Sequence, residues 1–244
     1  MSDKTRRVLA IILALAMVGS LAAGVILSSL GGGTGGSAPD AEESKSSSAY
    51  DNPREAEDDI GLARREADDP TAMGDVDAPL VLIEYADYRC PYCGVFNRDT
   101  LPTIVEEYVE TGRIRIEWRD LPLFGEQSSD AAVAARAAGK QGRFWEYHDA
   151  VYADAPEEEH LEVTRDKLLG WAQEVDVPDM DQFEEDLDDP RLLELVRADA
   201  HEGEQVGATG TPTFVIGHEA LVGAQSIGLF RDLLDDQLEA VGEQ

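Results

Sequence analysis

The chain contains two cysteines, three positions apart in Cys90-Pro91-Tyr92-Cys93. A pair that close cannot staple distant parts of a fold, so a structural disulfide framework is excluded. One local pair is instead what a redox centre needs. Half of a zinc site and an inert local disulfide are the competing readings of the same four residues. Zinc would require two further ligands, and His148, His160, His201 and His218 are scattered without paired spacing. No metal site is expected.

Length and charge bound the rest. The chain has 244 residues, enough for one sizeable core once its non-globular N-terminal part is set aside. A formal charge of -31 disfavours nucleic-acid phosphates and anionic lipid surfaces as partners, because like charges repel. No Gly-rich phosphate loop follows a strand, so no organic cofactor is expected.

After Lys4, Arg6 and Arg7 an uncharged run extends from Val8 to Leu30. As a helix it reaches about 34 Å, enough to span a bilayer core of roughly 30 Å. Three basic residues stand close before the run, and the segment beyond it is predominantly acidic. The positive-inside bias therefore puts residues 1–7 in the cytoplasm and the remainder outside, with 8–30 as a single-pass anchor. A cleaved signal peptide is the alternative, since Ala22, Ala23 and Gly24 suit a peptidase, and it delivers the same extracytoplasmic compartment. Residues 31–70 turn Gly-rich, Ser-rich and then acidic, a composition that cannot bury enough apolar surface to fold, and read as a disordered linker.

The folded domain is expected over 71–244. Pro79 to Tyr85 is an apolar run suited to a strand buried on both faces, interrupted by Glu84. Phe96, Leu101, Ile104, Val105 and Tyr108 recur at near-helical spacing after the cysteine pair and predict a helix to about Glu110, kinked at Pro102. Arg113 to Trp118 alternates charged and apolar residues, as in a second strand with one more polar face. Only helical patterns follow from about 127 to 203. A hairpin then joins Thr213–Ile216 to Ala220–Val222 through Gly217 and His218, and a last helix covers Ile227 to Leu238. Strand-helix-strand, helices, hairpin, helix describes an α/β fold with a small mixed sheet and an inserted helical subdomain. Phe144, Trp145 and Tyr147 are expected in that subdomain's core.

A Cys-x-x-Cys pair at a strand-to-helix junction puts its first sulfur at the helix N-terminus, where free backbone N–H groups and the helix dipole favour an anion. Cys90 is therefore expected as the acidic, exposed sulfur attacked by a substrate thiolate, and Cys93, one turn further in, as the resolving sulfur. Pro91 suits the first helical turn. Glu84, six residues before Cys90, is costly to bury without a task and is expected to act as a base for Cys93, unless it simply faces solvent. Gly210-Thr211-Pro212-Thr213 opens a strand with a proline at its first position; taken alone it is equally an ordinary loop.

These segments together resemble the DsbA-like branch of the thioredoxin superfamily: the strand with Glu84, the Cys90–Cys93 centre followed by Phe96, the Phe144-Trp145-Glu146-Tyr147-His148 segment and Val206-x-x-Thr209-Gly210-Thr211-Pro212-Thr213-Phe214. The resemblance covers about Asp75 to Glu239. It implies a thioredoxin-like fold and an enzyme that forms disulfides in exported proteins. It also implies Pro212 as a cis-proline beside the disulfide, a Thr211 backbone that pairs with an extended substrate segment, and Glu84 at the family's buried-acid position. Pro91 and Tyr92 join Thr211 and Pro212 as substrate-contacting residues. Reoxidation by a quinone-linked membrane partner is a further implication. Tyr92 stands where strongly oxidising members carry His and cannot offer a cationic ring, which suggests a milder oxidant. A reductase or isomerase kept reduced by a membrane donor and a non-redox client-binding module are the other readings.

Overall fold

The computed structural model describes residues 61–242. The expected cytoplasmic tail, the anchor or signal segment at 8–30 and most of the linker lie outside the described residues. Among the described residues no helix is long and apolar enough to cross a membrane.

Five strands form one sheet in the order β1-β3-β2-β4-β5. They are β1 (Ala72–Met73), β2 (Leu80–Ala86), β3 (Ile114–Asp120), β4 (Thr213–Ile216) and β5 (Glu219–Val222). Only β2 and β3 run parallel, in a register that sets Glu84 beside Trp118. β4 lies antiparallel to β2, and β5 closes the hairpin. Every residue of β2 is buried, which explains its near-continuous apolar run. β1 was not expected: two residues carry no periodicity, and its pairing with Glu117 and Ile116 is decided by contact alone.

Helix α1 (Pro91–Asp99) follows β2. The long helix expected to reach Glu110 is broken near Pro102 into α2 (Leu101–Ile104) and a π-helical segment (Val105–Val109). The break falls at Thr100, where Pro102 supplies no N–H to continue the ladder. Between β3 and β4 stand α3 (Glu126–Gly139), α4 (Phe144–Ala153), α5 (Arg165–Glu174), α6 (Met180–Asp186) and α7 (Pro190–Val206), with α8 (Ile227–Gly242) last. Asp189 caps α7 by accepting from the Arg191 N–H, and Gly207, at φ 81°, ends it in the left-handed conformation.

One sheet face packs Leu80, Leu82, Ile114, Ile116, Phe214 and Ile216 against Phe96 of α1 and Phe230 and Leu234 of α8. The inserted helices build a second core, which includes Cys93, Trp118, Phe144 and Tyr147. The reverse face of β3 is the more polar one that the alternation predicts. Arg115, Glu117 and Arg119 are not solvated but 0–3% exposed. Residues 62–66, read from composition as the end of the linker, cover them. The backbone N–H groups of Arg64 and Arg65 donate to the Glu117 carboxylate at 3.0 and 2.8 Å. The Arg64 guanidinium bridges Asp199 and Glu202 of α7 at 2.7 and 2.8 Å, and Arg119 donates to Glu202 at 2.9 Å. Buried charges require partners, and the strap supplies them.

Candidate active site at Cys90 and Cys93

β2 ends at Ala86, and the chain turns through Asp87 to Cys90, whose N–H donates to the Asp87 carbonyl at 3.0 Å. The Asp87 carboxylate, itself buried, accepts from the N–H groups of Arg89, Leu123 and Phe124 at 2.8, 2.6 and 3.2 Å. It thereby fixes the turn to the loop that follows β3. Cys90 is the N-cap of α1, with extended backbone angles and Pro91 in the first turn. One turn on, Cys93 is fully buried.

Both residues are present as free cysteines. Cys90 is not the exposed sulfur that its position suggested: it is 2% exposed. The loop before β4 covers it, and the Cys90 thiol donates to the Thr211 carbonyl at 3.3 Å across 121 positions. The Thr211-Pro212 peptide is cis. Thr211 and Pro212 thus meet the cysteine pair in space, a juxtaposition made by the antiparallel pairing of β4 with β2.

The electrostatics of the two sulfurs diverge. The Cys90 thiol is held down to about 6, chiefly by the hydrogen bond from Cys93, then by Thr211 and the backbone N–H groups of Cys93 and Tyr92, against the opposing effect of burial. Those N–H groups belong to the free start of α1. Burial pushes the Cys93 thiol far up, and Cys90 beside it adds to the rise. Glu84 does not face solvent: it is 2% exposed, and desolvation pushes its carboxyl up to about 8. Its negative charge is one of the influences that raise Cys93, so the two groups share one pocket.

Pro91 and Tyr92 line an open cleft of about 610 Å³ with Val95, Arg98, Asp99, Glu157 and Glu158. Tyr92 is 66% exposed. A dithiol of this kind can exchange disulfides: an acidic sulfur beneath the Thr211 loop, a neutral one behind it and a proton store beside that. Among the described residues no group of three or more His, Cys, Asp and Glu side chains is arranged to hold a metal ion.

Sequence reading missed Asp87 as part of the site. Asp87 stands three residues before Cys90 in a turn position, the one signal available. Phe144 and Tyr147 lie in the subdomain core as expected, while Trp145 is half-buried and donates its indole N–H to the Ala72 carbonyl at 3.1 Å.

Residues 66–236 match the family model described as thioredoxin. Among curated relatives, the chain is 37% identical over 145 residues to the Na(+)/H(+) antiporter NhaA 1 of Salinispora arenicola, covering 59% of this chain but only 21% of that protein. It is 28% identical over 148 residues to the probable disulfide bond formation protein D of Bacillus anthracis, covering 59% of this chain and 68% of that one. Among solved structures, oxidised BdbD from Bacillus subtilis superposes with a TM-score of 0.65 at 24% identity, over 69% of this chain and 92% of that one, a likeness of fold.

Proposed function

The chain belongs to the thioredoxin superfamily as a DsbA-like thiol-disulfide oxidoreductase, and from that premise we propose that it forms disulfides in exported proteins by exchange at Cys90. The observation that carries this reading is the divergence of the paired sulfurs, with Cys90 held down to about 6 and Cys93 kept as a thiol. An acidic outer sulfur stabilises the reduced pair, and so makes the disulfide a better oxidant.

In the oxidised protein a client thiolate attacks the Cys90 sulfur. The Cys90–Cys93 bond breaks, a mixed disulfide forms, and Cys93 leaves as a thiolate that takes a proton from Glu84. With its carboxyl pushed up to about 8, Glu84 carries that proton at neutral pH. A second client thiolate then attacks the client sulfur of the mixed disulfide and releases Cys90 as a thiolate. The client loses two electrons and the pair gains them. Reoxidation runs the same path in reverse, with Glu84 as the base for Cys93.

Thr211 offers backbone for pairing with an extended client segment, Pro212 lies beside the reacting sulfur, and Pro91 and Tyr92 contact the client from the cleft. The apolar run at 8–30 supports an extracytoplasmic domain, single-pass or released, and a quinone-linked membrane oxidase as the electron acceptor. Tyr92 in place of a cationic ring supports a milder oxidant.

The test equilibrates the full chain with a thiol redox buffer and titrates its free thiols. A Cys90–Cys93 pair that cycles at a potential above that of thioredoxin, about -270 mV, is the expected result. A pair that never cycles, or one poised well below that value, overturns the reading.

A further inference from the structure

Proton traffic to the inner sulfur poses a problem of access. Cys93 and Glu84 are 0% and 2% exposed, yet each half-cycle changes the proton content of their pocket by one. Building on the exchange reading above, we propose that His148, acting through Glu84 rather than on a sulfur, is a positioning residue that passes this proton between the Glu84–Cys93 pocket and the exposed carboxylate of Asp149.

Among the described residues, Glu84 Oε2, the Tyr88 hydroxyl and His148 Nε2 are buried polar atoms without a hydrogen-bond partner. They gather around one indole. The β2–β3 register puts Glu84 beside Trp118, whose ring lies 4.8 Å edge-on from the His148 imidazole and 5.1 Å from Tyr88. Tyr88 is in turn 5.8 Å from His148. Glu84 is faced by Cys93, Tyr88 and Tyr152, and Tyr88 also by Asp120, Arg136 and Tyr147.

The outer side of the same imidazole is built differently. Nδ1 lies 2.9 Å from Asp149 Oδ1, an acceptor, and 3.3 Å from Asn97 Nδ2, a donor. Either tautomer is therefore satisfied on that side: an Nδ1–H donates to Asp149, and a bare Nδ1 accepts from Asn97. Asp149 is 66% exposed while the His148 side chain is 1% exposed, so the ring spans the boundary between core and water. Packing against Phe144, Trp145 and Tyr152 holds it there.

A proton taken up at Nδ1 lets the one on Nε2 move inward to Glu84, leaving the neutral ring in its other tautomer. Reoxidation sends a proton outward by the reverse steps and restores the first tautomer. No ring rotation is needed, because each full turnover moves one proton in and one out.

The test is the exchange of the Cys93 S–H proton with deuterated water, followed by its infrared band in the reduced full chain at pH 7.5, where Cys90 is ionised. His148→Phe and His148→Gln are expected to slow the exchange on the order of tenfold, with amide exchange in α1 unchanged. Loosened packing would accelerate exchange, so slowing cannot come from destabilisation. An unchanged or faster exchange in His148→Gln, whose amide can still reach Asp149, overturns the proposal. Oxidation of a dithiol peptide by the unaltered protein tests the exchange reading separately, since thiol-proton exchange requires no client.

Discussion

The Cys90 sulfur draws its acidity from donors rather than from a neighbouring cation. Alkylation at Cys90 should therefore rise through a midpoint near pH 6 and be flat by pH 8, whereas an ordinary thiol would still be rising. Rates of iodoacetamide labelling across that range check this; a midpoint near 9 would refute it. Glu84 has the opposite linkage. Its carboxyl is raised from 4.5 to about 8 in the fold, so its contribution to the reduced protein's stability is complete below pH 4.5 and is lost as pH rises through 8. The loss is roughly 5 kcal/mol. Cys90, depressed in the fold, works the other way, its contribution fading as pH falls from 9 to 6. Denaturant unfolding of reduced Glu84→Gln and wild type at pH 5 and pH 8.5 isolates the first effect. The variant should gain relative to wild type at the higher pH, and equal differences at both would contradict the assignment.

At the scale of elements, α1 presents the cysteines because its opposite face is anchored. Phe96 packs 4.5 Å from Phe214 of β4 and 5.2 Å from Phe230 of α8, which joins the active-site helix to the strand that follows Pro212. Phe96→Ala should cost about 3–5 kcal/mol, measured by denaturant midpoint in the oxidised protein. It should also raise the labelling midpoint of Cys90 by loosening the seat of the helix start. The position of α1 was legible from Cys90-Pro91 after an apolar strand, and the apolar stripe that continues past it from Phe96, Ile104 and Tyr108. The kink at Pro102 was legible too, but the π-helical turn beyond it was not, because it settles where packing against α8 competes with the ladder lost at Pro102.

For the molecule as a whole, the strap at 62–66 is part of the domain. Its acidic surroundings suggested chain without structure, but Arg64 and Arg65 complete a buried charge network on the back of β3. Compared with a chain beginning at Gly61, one beginning at Ala67 should lose about 3 kcal/mol, since Glu117 would keep its charge in the interior with fewer donors. Guanidinium unfolding of the two chains measures the difference. Equal midpoints would show the strap to be dispensable.

Sequence alone determined the close cysteine pair, the strand and helix that flank it, the helical insertion and the family resemblance. These follow from local chemistry: residue spacing, apolar period and the N–H groups of a helix start. Only the tertiary structure decided that Thr211 lies over Cys90, that Glu84 is buried, and that His148 packs edge-on against Trp118. Each of these joins positions tens of residues apart, and sheet pairing and core packing bring them together where no local pattern records the contact. The burial of Cys90 and the ordering of the strap share that origin.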